Sequence, residues 1–146
     1  MEKKQVATQP LPKPVLQPEE MTSAILDAAW SRNGFSTRVM DVSRLVTYTD
    51  IFVILSGRSS RHVRAIADEV ETRLKERGVR PLGVEGLQAS TWVLMDYGSV
   101  VVHIFEPQTR AFYDLERLWS DATPIPVEEP PWVKDFERME EDYQGF

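Results

Sequence analysis

The chain contains no cysteine among its 146 residues. That absence excludes disulfide bonds, thiolate metal sites and cysteine nucleophiles, and it is compatible with a reducing compartment. No apolar run approaches the length of a membrane span, and the first residues lack the apolar core of a signal peptide. No arginine precedes Arg32, and Glu2 is acidic, which is unlike an organellar transit peptide. We therefore expect a cytoplasmic protein without a membrane segment.

Basic residues are the smaller charged class, with 17 lysines and arginines against 23 aspartates and glutamates and a net charge of -6. An acidic protein is repelled by phosphate backbones, so extensive direct nucleic-acid binding is disfavoured and a basic protein is the more natural partner. The length predicts a single domain, and such a domain can bury a core without support from metals or disulfides.

Proline is concentrated at the two ends of the chain. Residues 1–18 contain four prolines, and we predict a disordered tail there because proline blocks helix and sheet hydrogen bonding. Residues 19–122 are predicted to form the folded domain. Residues 123–146 form a proline-rich, acidic extension in which regular structure is expected to end beyond Asp121, and Trp132 to Tyr143 either form a short docked helix or stay loose.

The spacing of apolar residues predicts helices and strands in the order αββαβββα. A continuous apolar run at residues 50–55 is typical of a strand covered on both faces. Residues 91–96 and 99–105 predict a hairpin across Tyr97-Gly98. Pro107 suits the first turn of a last helix, whose predicted buried face is Phe112, Leu115, Leu118 and Trp119. The pattern predicts an α/β (α+β) single domain with a mixed β-sheet of about five strands flanked by helices.

Several motifs occur in one order over residues 21–122. They are TDIFVI at 49–54, GRSSRHV at 57–63, EG at 85–86, WVLMDYG at 92–98, VVHIF at 101–105 and RAFYDLERLW at 110–119. Together they resemble the bacterial ribosomal silencing factors of the RsfS/Iojap family. The resemblance implies a nucleotidyltransferase-like topology without catalytic residues, and a homodimer when free.

The same resemblance implies a mechanism. Such proteins bind the large ribosomal subunit through its ribosomal protein number fourteen, on the face where the two subunits meet. Bound there, they sterically block association with the small subunit and repress translation under nutrient limitation. This chain is then expected to be a regulator rather than an enzyme.

Six residues of the hairpin and last helix are the expected ribosomal-protein-binding site. Burial tendencies alone favour a core role for Trp92, but its polar neighbours and its match to the family pattern favour an interface anchor. The carboxylates of Asp96, Glu106 and Glu116 would complement the charge of a basic partner. Arg110 and Tyr113 would add polar contacts. Arg110 pairing with Asp114 is an equal alternative. The expected binding residues are Trp92, Asp96, Glu106, Arg110, Tyr113 and Glu116, while Leu118 and Trp119 are expected in the core or a dimer contact.

The Gly57–Ser60 turn is the basis of the rival interpretation, a nucleotide-binding or nucleotidyltransferase-type enzyme. The turn joins a strand to a helix and can present N–H groups to an anion. It lacks the spacing of a P-loop, however, and a serine N-cap explains it. His103 has apolar neighbours, which favours a buried, hydrogen-bonded side chain. With His62 the only other histidine and no cysteine, we expect no metal site and no cofactor.

Overall fold

The structure, a computed structural model, describes residues 16–144. The predicted N-terminal tail, residues 1–18, lies outside the described residues except for its last three. Pro18 is the first residue of the first helix, where its missing N–H costs nothing.

Five helices and six strands make up the described chain. In chain order they are α1 Pro18–Ser31, β1 Phe35–Asp41, β2 Ile51–Ser56, α2 Ser60–Glu76, β3 Gly83–Glu85, β4 Trp92–Asp96, β5 Val100–Phe105, α3 Pro107–Tyr113, α4 Leu115–Leu118, β6 Thr123–Ile125 and α5 Pro131–Gln144. The strands form one sheet in the order β3-β4-β5-β2-β1-β6. Only the β2–β5 pair is parallel. The mixed α/β single-domain fold is confirmed, with six strands in place of about five.

The two faces of the sheet are covered unequally. Helices α1 and α2 pack on one face and bury the larger apolar cluster, which includes Ile25, Val70 and Val102. The central strands β2 and β5 are buried along their whole length. The opposite face carries a smaller cluster around Phe52 and Phe105, capped in part by residues 115–122. On this second face, Trp92, Leu94 and Trp119 are only partly buried.

Residues after Asp121 continue the fold, and the expectation that prolines end regular structure there is wrong. Strand β6 pairs antiparallel with β1, and Pro124 lies opposite Met40. Proline is tolerated because β6 is an edge strand, where one row of backbone groups faces away from the sheet. Helix α5 then docks on the larger cluster through Val133, which is fully buried. Of the two alternatives for Trp132 to Tyr143, the structure therefore shows the docked helix.

The predicted last helix is two short helices. Asp114 has φ 52° and ψ 53°, a left-handed conformation that separates α3 from α4. Because of this break, the residues predicted to share one buried helical face do not lie on one continuous helix. Their predicted burial is wrong at two positions. The side chains of Phe112 and Leu118 are 80% and 68% exposed.

Candidate protein-docking site

The face of the sheet opposite α1 and α2 holds a cluster of aromatic rings, here called the aromatic face, in which Trp92 and Trp119 are partly buried. Side chains alternate between the two faces of a strand. Trp92 lies opposite Phe105, and Leu94 lies opposite His103, in the antiparallel β4–β5 register. The aromatic face consists of Phe52, Trp92, His103, Phe105 and Trp119. None of these side chains touches α1 or α2 as part of the larger cluster.

Trp92 is half-buried and held in one orientation. Its ring stacks on Phe105 at 4.9 Å between centroids and contacts Tyr113 at the same distance. Its indole N–H donates a hydrogen bond to Nδ1 of His103 at 3.2 Å. A tryptophan fixed on several sides loses little conformational freedom on binding, which suits an anchor for a partner.

His103 is a buried, hydrogen-bonded side chain, as the sequence predicts. It is 5% exposed, and its ring meets Phe52 edge-on at 5.1 Å. Burial lowers the pKa of His103 to about 4, so the imidazole is neutral near pH 7. Because Nδ1 accepts from Trp92, the proton lies on Nε2, which has no hydrogen-bond partner within the described residues.

Gly86 lies against the backbone of Trp92 and helps to position that residue. Its φ is +88°, and a Cβ atom added there would collide with the carbonyl oxygen of Trp92. Glycine is therefore required for two reasons, the left-handed backbone and the close approach of the next strand. The EG motif at residues 85–86 thus acts on the geometry of the aromatic face.

Arg110 and Glu116 bind each other inside the fold. The guanidinium donates to Glu116 Oε2 through Nη2 at 2.6 Å and through Nε at 3.1 Å. It also donates through Nη1 to the Ser36 carbonyl oxygen and to Ser56 Oγ. The alternative pairing of Arg110 with Asp114 is therefore wrong, since the chain folds back after Asp114 and brings Glu116 to the guanidinium.

Electrostatics agree with that pairing. The side chains of Arg110 and Glu116 are only 12% and 22% exposed. Burial alone would raise the pKa of Glu116, but the hydrogen bonds and charge of Arg110 outweigh it and hold the pKa below its ordinary value. Both side chains have a partner within the fold, which leaves them little charge to offer to another protein.

Asp96 and Glu106, the other two predicted carboxylates, are half-buried at the margins of β4 and β5. Asp96 Oδ1 accepts the Gly98 N–H at 2.8 Å and so stabilises the hairpin turn. Glu106 is the N-cap residue of α3, and its side chain makes no cap hydrogen bond within the described residues.

Exposed apolar side chains line the rim beside the aromatic face. A surface cavity of about 650 Å³ lies among Ala111, Phe112, Tyr113, Asp114, Arg117 and Leu118. Leu118 is therefore not a core residue, whereas Trp119 packs edge-on against Phe52 at 5.6 Å. The aromatic face and this rim form one continuous candidate surface, because Tyr113 belongs to the rim and contacts Trp92.

Sequence reasoning missed the contribution of Phe52 and His103 to this surface. Both belong to nearly continuous apolar runs, in which the pattern does not indicate which side chains face which layer. The described residues contain no group of three or more His, Asp or Glu side chains placed to hold a metal ion. Within residues 16–144, no helix is both long and apolar enough to cross a bilayer.

Comparison with known proteins gives a consistent family. The family model described as "Ribosomal silencing factor during starvation" matches residues 15–144. A Chromobacterium violaceum protein named ribosomal silencing factor RsfS is 36% identical over 106 residues, which are 73% of this chain and 87% of that protein. A mouse protein named mitochondrial assembly of ribosomal large subunit protein 1 is 40% identical over 85 residues, which are 56% of this chain and 37% of that protein. A crystal structure of a Chromobacterium violaceum protein superposes with a TM-score of 0.71 at 34% identity, covering 80% of this chain and 99% of that one.

Proposed function

This chain belongs to the ribosomal silencing factor family, and from that premise we propose that it binds the large ribosomal subunit at ribosomal protein number fourteen. Bound there, it sterically blocks association with the small subunit and represses translation under nutrient limitation. The protein acts in the cytoplasm and self-associates as a homodimer when free, with Leu118 in the dimer contact.

Two kinds of observation support this proposal. The printed names of the relatives concern ribosome silencing and assembly of the large ribosomal subunit. In the described chain, the aromatic face lies on the side of the sheet that α1 and α2 do not cover, and Trp92 and Trp119 are only partly buried there. The observation that carries the proposal is the half-buried Trp92 ring, held by His103 and packed between Phe105 and Tyr113.

The surroundings of Trp92 suit a basic ribosomal protein. A central aromatic anchor with a polar, charged rim is the usual organisation of a protein interface. Asp96 and Glu106 lie at the ends of the two strands that carry the aromatic face, and the whole chain has a net charge of -6. Complementary charge accelerates association and fixes orientation. Arg110 and Glu116 act indirectly, because their mutual pair holds α3 and α4 beside the anchor.

The proposal is tested by sedimentation of ribosomal subunits through a sucrose gradient. Purified large and small subunits are mixed with the wild-type chain, with Trp92→Ala or with Trp132→Ala. Trp132 is the matched control, a tryptophan on α5 that is 56% exposed and outside the aromatic face. We expect the wild type and the control to co-sediment with the large subunit and to reduce the peak of joined ribosomes. Trp92→Ala should bind at least about 30-fold more weakly, as expected for an interface hot spot.

A second variant separates lost binding from lost folding. Tyr113 is 52% exposed, so Tyr113→Ala removes one ring from the rim without opening the core. Both variants are first compared with the wild type by thermal melting. An unchanged peak of joined ribosomes with the wild-type protein would refute the silencing mechanism. Wild-type affinity in both folded variants would instead refute the aromatic face as the docking surface.

A further inference from the structure

A cluster of arginines lies at the start of α2, away from the aromatic face. The segment from Ile51 to Ala67 contains three arginines, one histidine and no acidic residue, although the chain as a whole is acidic. Such a local excess is unusual in a chain with more carboxylates than basic groups. The arginines are Arg58, Arg61 and Arg64.

Arg58 and Arg61 line a surface cavity of about 380 Å³ together with Arg32. The cavity lies where the β2–α2 turn approaches the end of α1 and one residue of α5. Its lining includes Arg32, Arg58, Arg61, Ser59, His62 and Phe136. The cavity therefore brings guanidinium groups from two separate parts of the chain into one place.

The structure holds these arginines in a defined arrangement. The Arg58 guanidinium lies over the Phe136 ring at 5.3 Å from its centroid, and the Arg58 N–H donates to His62 Nδ1 at 2.9 Å. Arg32 pairs with Glu69 through its Nε atom at 3.1 Å. Arg58 and Arg61 form no ion pair in the part of the chain that the structure describes. Within the described residues, no carboxylate neutralises either guanidinium.

Among the described residues, three carboxylates on α2 and α5 have partners within the fold. Glu69 is shared between Arg32 and Arg73. On α5, Asp135 pairs with Arg138, and Glu137 accepts hydrogen bonds from the hydroxyl and N–H of Ser36. The positive end of the α2 macrodipole adds to the potential, because Ser59 and Arg61 of its first turn line the cavity.

We propose that this arginine cavity binds the phosphate backbone of ribosomal RNA on the large subunit, at a contact separate from that of the aromatic face. The inference depends on the proposed function, since it concerns the same bound state. Guanidinium groups bind phosphate oxygens with two parallel hydrogen bonds, and contacts to phosphates position a protein without reading sequence. The acidic contacts to the ribosomal protein and the arginine contacts to RNA lie at different places on the domain. Together they would fix its orientation on the large subunit. The contact is local, which is compatible with a net charge that disfavours extensive nucleic-acid binding.

The salt dependence of binding tests the proposal. The affinity of the full chain for purified large subunits is measured from about 50 to 200 mM salt, because each phosphate contact adds about 0.7 to 0.9 to the slope of log K against log salt. We expect Arg58→Gln/Arg61→Gln to bind about tenfold more weakly near 100 mM salt, with a slope smaller by about two. Arg77→Gln/Arg80→Gln is the control, because it removes the same charge from exposed positions beyond the other end of α2. Its slope should stay close to that of the wild type.

A second measurement separates this inference from the proposed function. Binding to isolated ribosomal protein number fourteen should be the same for the wild type and Arg58→Gln/Arg61→Gln, since that contact uses the aromatic face. If the wild type binds neither the isolated protein nor the subunits, the proposed function fails. If it binds both and the two double variants have equal slopes on subunits, only the arginine cavity is refuted. A rise in melting temperature of the wild type with millimolar ATP, lost in Arg58→Gln/Arg61→Gln, would overturn the RNA assignment in favour of a nucleotide site.

Discussion

Replacing Arg110 by alanine separates a structural role of this residue from a direct contact with the partner. The side chain is 12% exposed and makes four hydrogen bonds, two to Glu116 and one each to Ser36 and Ser56. Arg110→Ala leaves the half-buried Glu116 carboxylate without its hydrogen-bonded guanidinium, with Arg38 as the remaining favourable charge, and the Ser36 carbonyl without this donor. Breaking a buried pair on one side costs about 3 to 5 kcal/mol. Since Glu116 keeps some access to water, we expect a loss of about 3 kcal/mol in the free energy of unfolding.

The pH dependence gives this prediction a signature of its own. Arg110 holds the pKa of Glu116 below its ordinary value of 4.5, so Glu116 stabilises the wild type above that pH and stops doing so as the carboxylate is protonated. In Arg110→Ala, burial dominates and raises the pKa of Glu116. Acid then protonates the unpaired carboxylate and relieves its burial cost. The stability gap between wild type and variant should therefore narrow as the pH falls from 7 to about 4.

Urea denaturation at both pH values measures this gap, and a double-mutant cycle with Glu116→Gln isolates the pair. We expect a coupling energy of about 2 kcal/mol between Arg110 and Glu116, within the usual range for contacting residues. The reasoning would be refuted if Arg110→Ala lost less than about 1 kcal/mol of stability at pH 7. If that stable variant also failed to bind the large subunit, Arg110 would be a direct contact, as the sequence pattern predicts.

Three further predictions concern separate parts of the fold. Burial lowers the pKa of His103 to about 4, so as the pH falls the unfolded chain binds a proton at His103 before the folded chain does. The free energy of unfolding should therefore fall by about 3 kcal/mol between pH 6.5 and 4. In denaturation experiments, His103→Phe should reduce this pH dependence. Gly86→Ala should cost on the order of 2 kcal/mol or more because of its positive φ and the Trp92 carbonyl, and a change in Trp92 fluorescence should accompany it. Because Leu118 is 68% exposed, Leu118→Glu should keep the melting temperature within a few degrees of that of the wild type. Sedimentation velocity should show the free variant as a monomer in place of the dimer. An unchanged dimer would exclude Leu118 from the dimer contact.

Local patterns were sufficient to predict much of the fold. The serine N-cap predicted at the Gly57–Ser60 turn is confirmed, because Ser59 accepts a hydrogen bond from the His62 N–H at the start of α2. The hairpin across Tyr97-Gly98 forms as β4 and β5. These elements depend on periodicity, capping and turn chemistry, which act between residues close together in the chain.

Predictions failed where distant residues decide the outcome. The α3–α4 break at Asp114 accompanies a turn that brings Glu116 back to Arg110, and no local signal predicts that ion pair. Strand β6 exists because β1 offers an edge, although its own sequence, with Pro124 in the middle, argues against a strand. In both cases the stabilising contact lies on another element of the fold.

The candidate site divides in the same way. The sequence alone determined the family motifs, the Trp92 position on a hairpin strand, the acidic balance and the arginine-rich start of α2. Only the tertiary structure decided that Trp92 shares a face with Phe52 and His103, and that Arg110 and Glu116 bind each other. Strand periodicity reports which side chains alternate, but the sheet order and the unequal covering of its two faces decide which of them meet and which remain accessible to a partner.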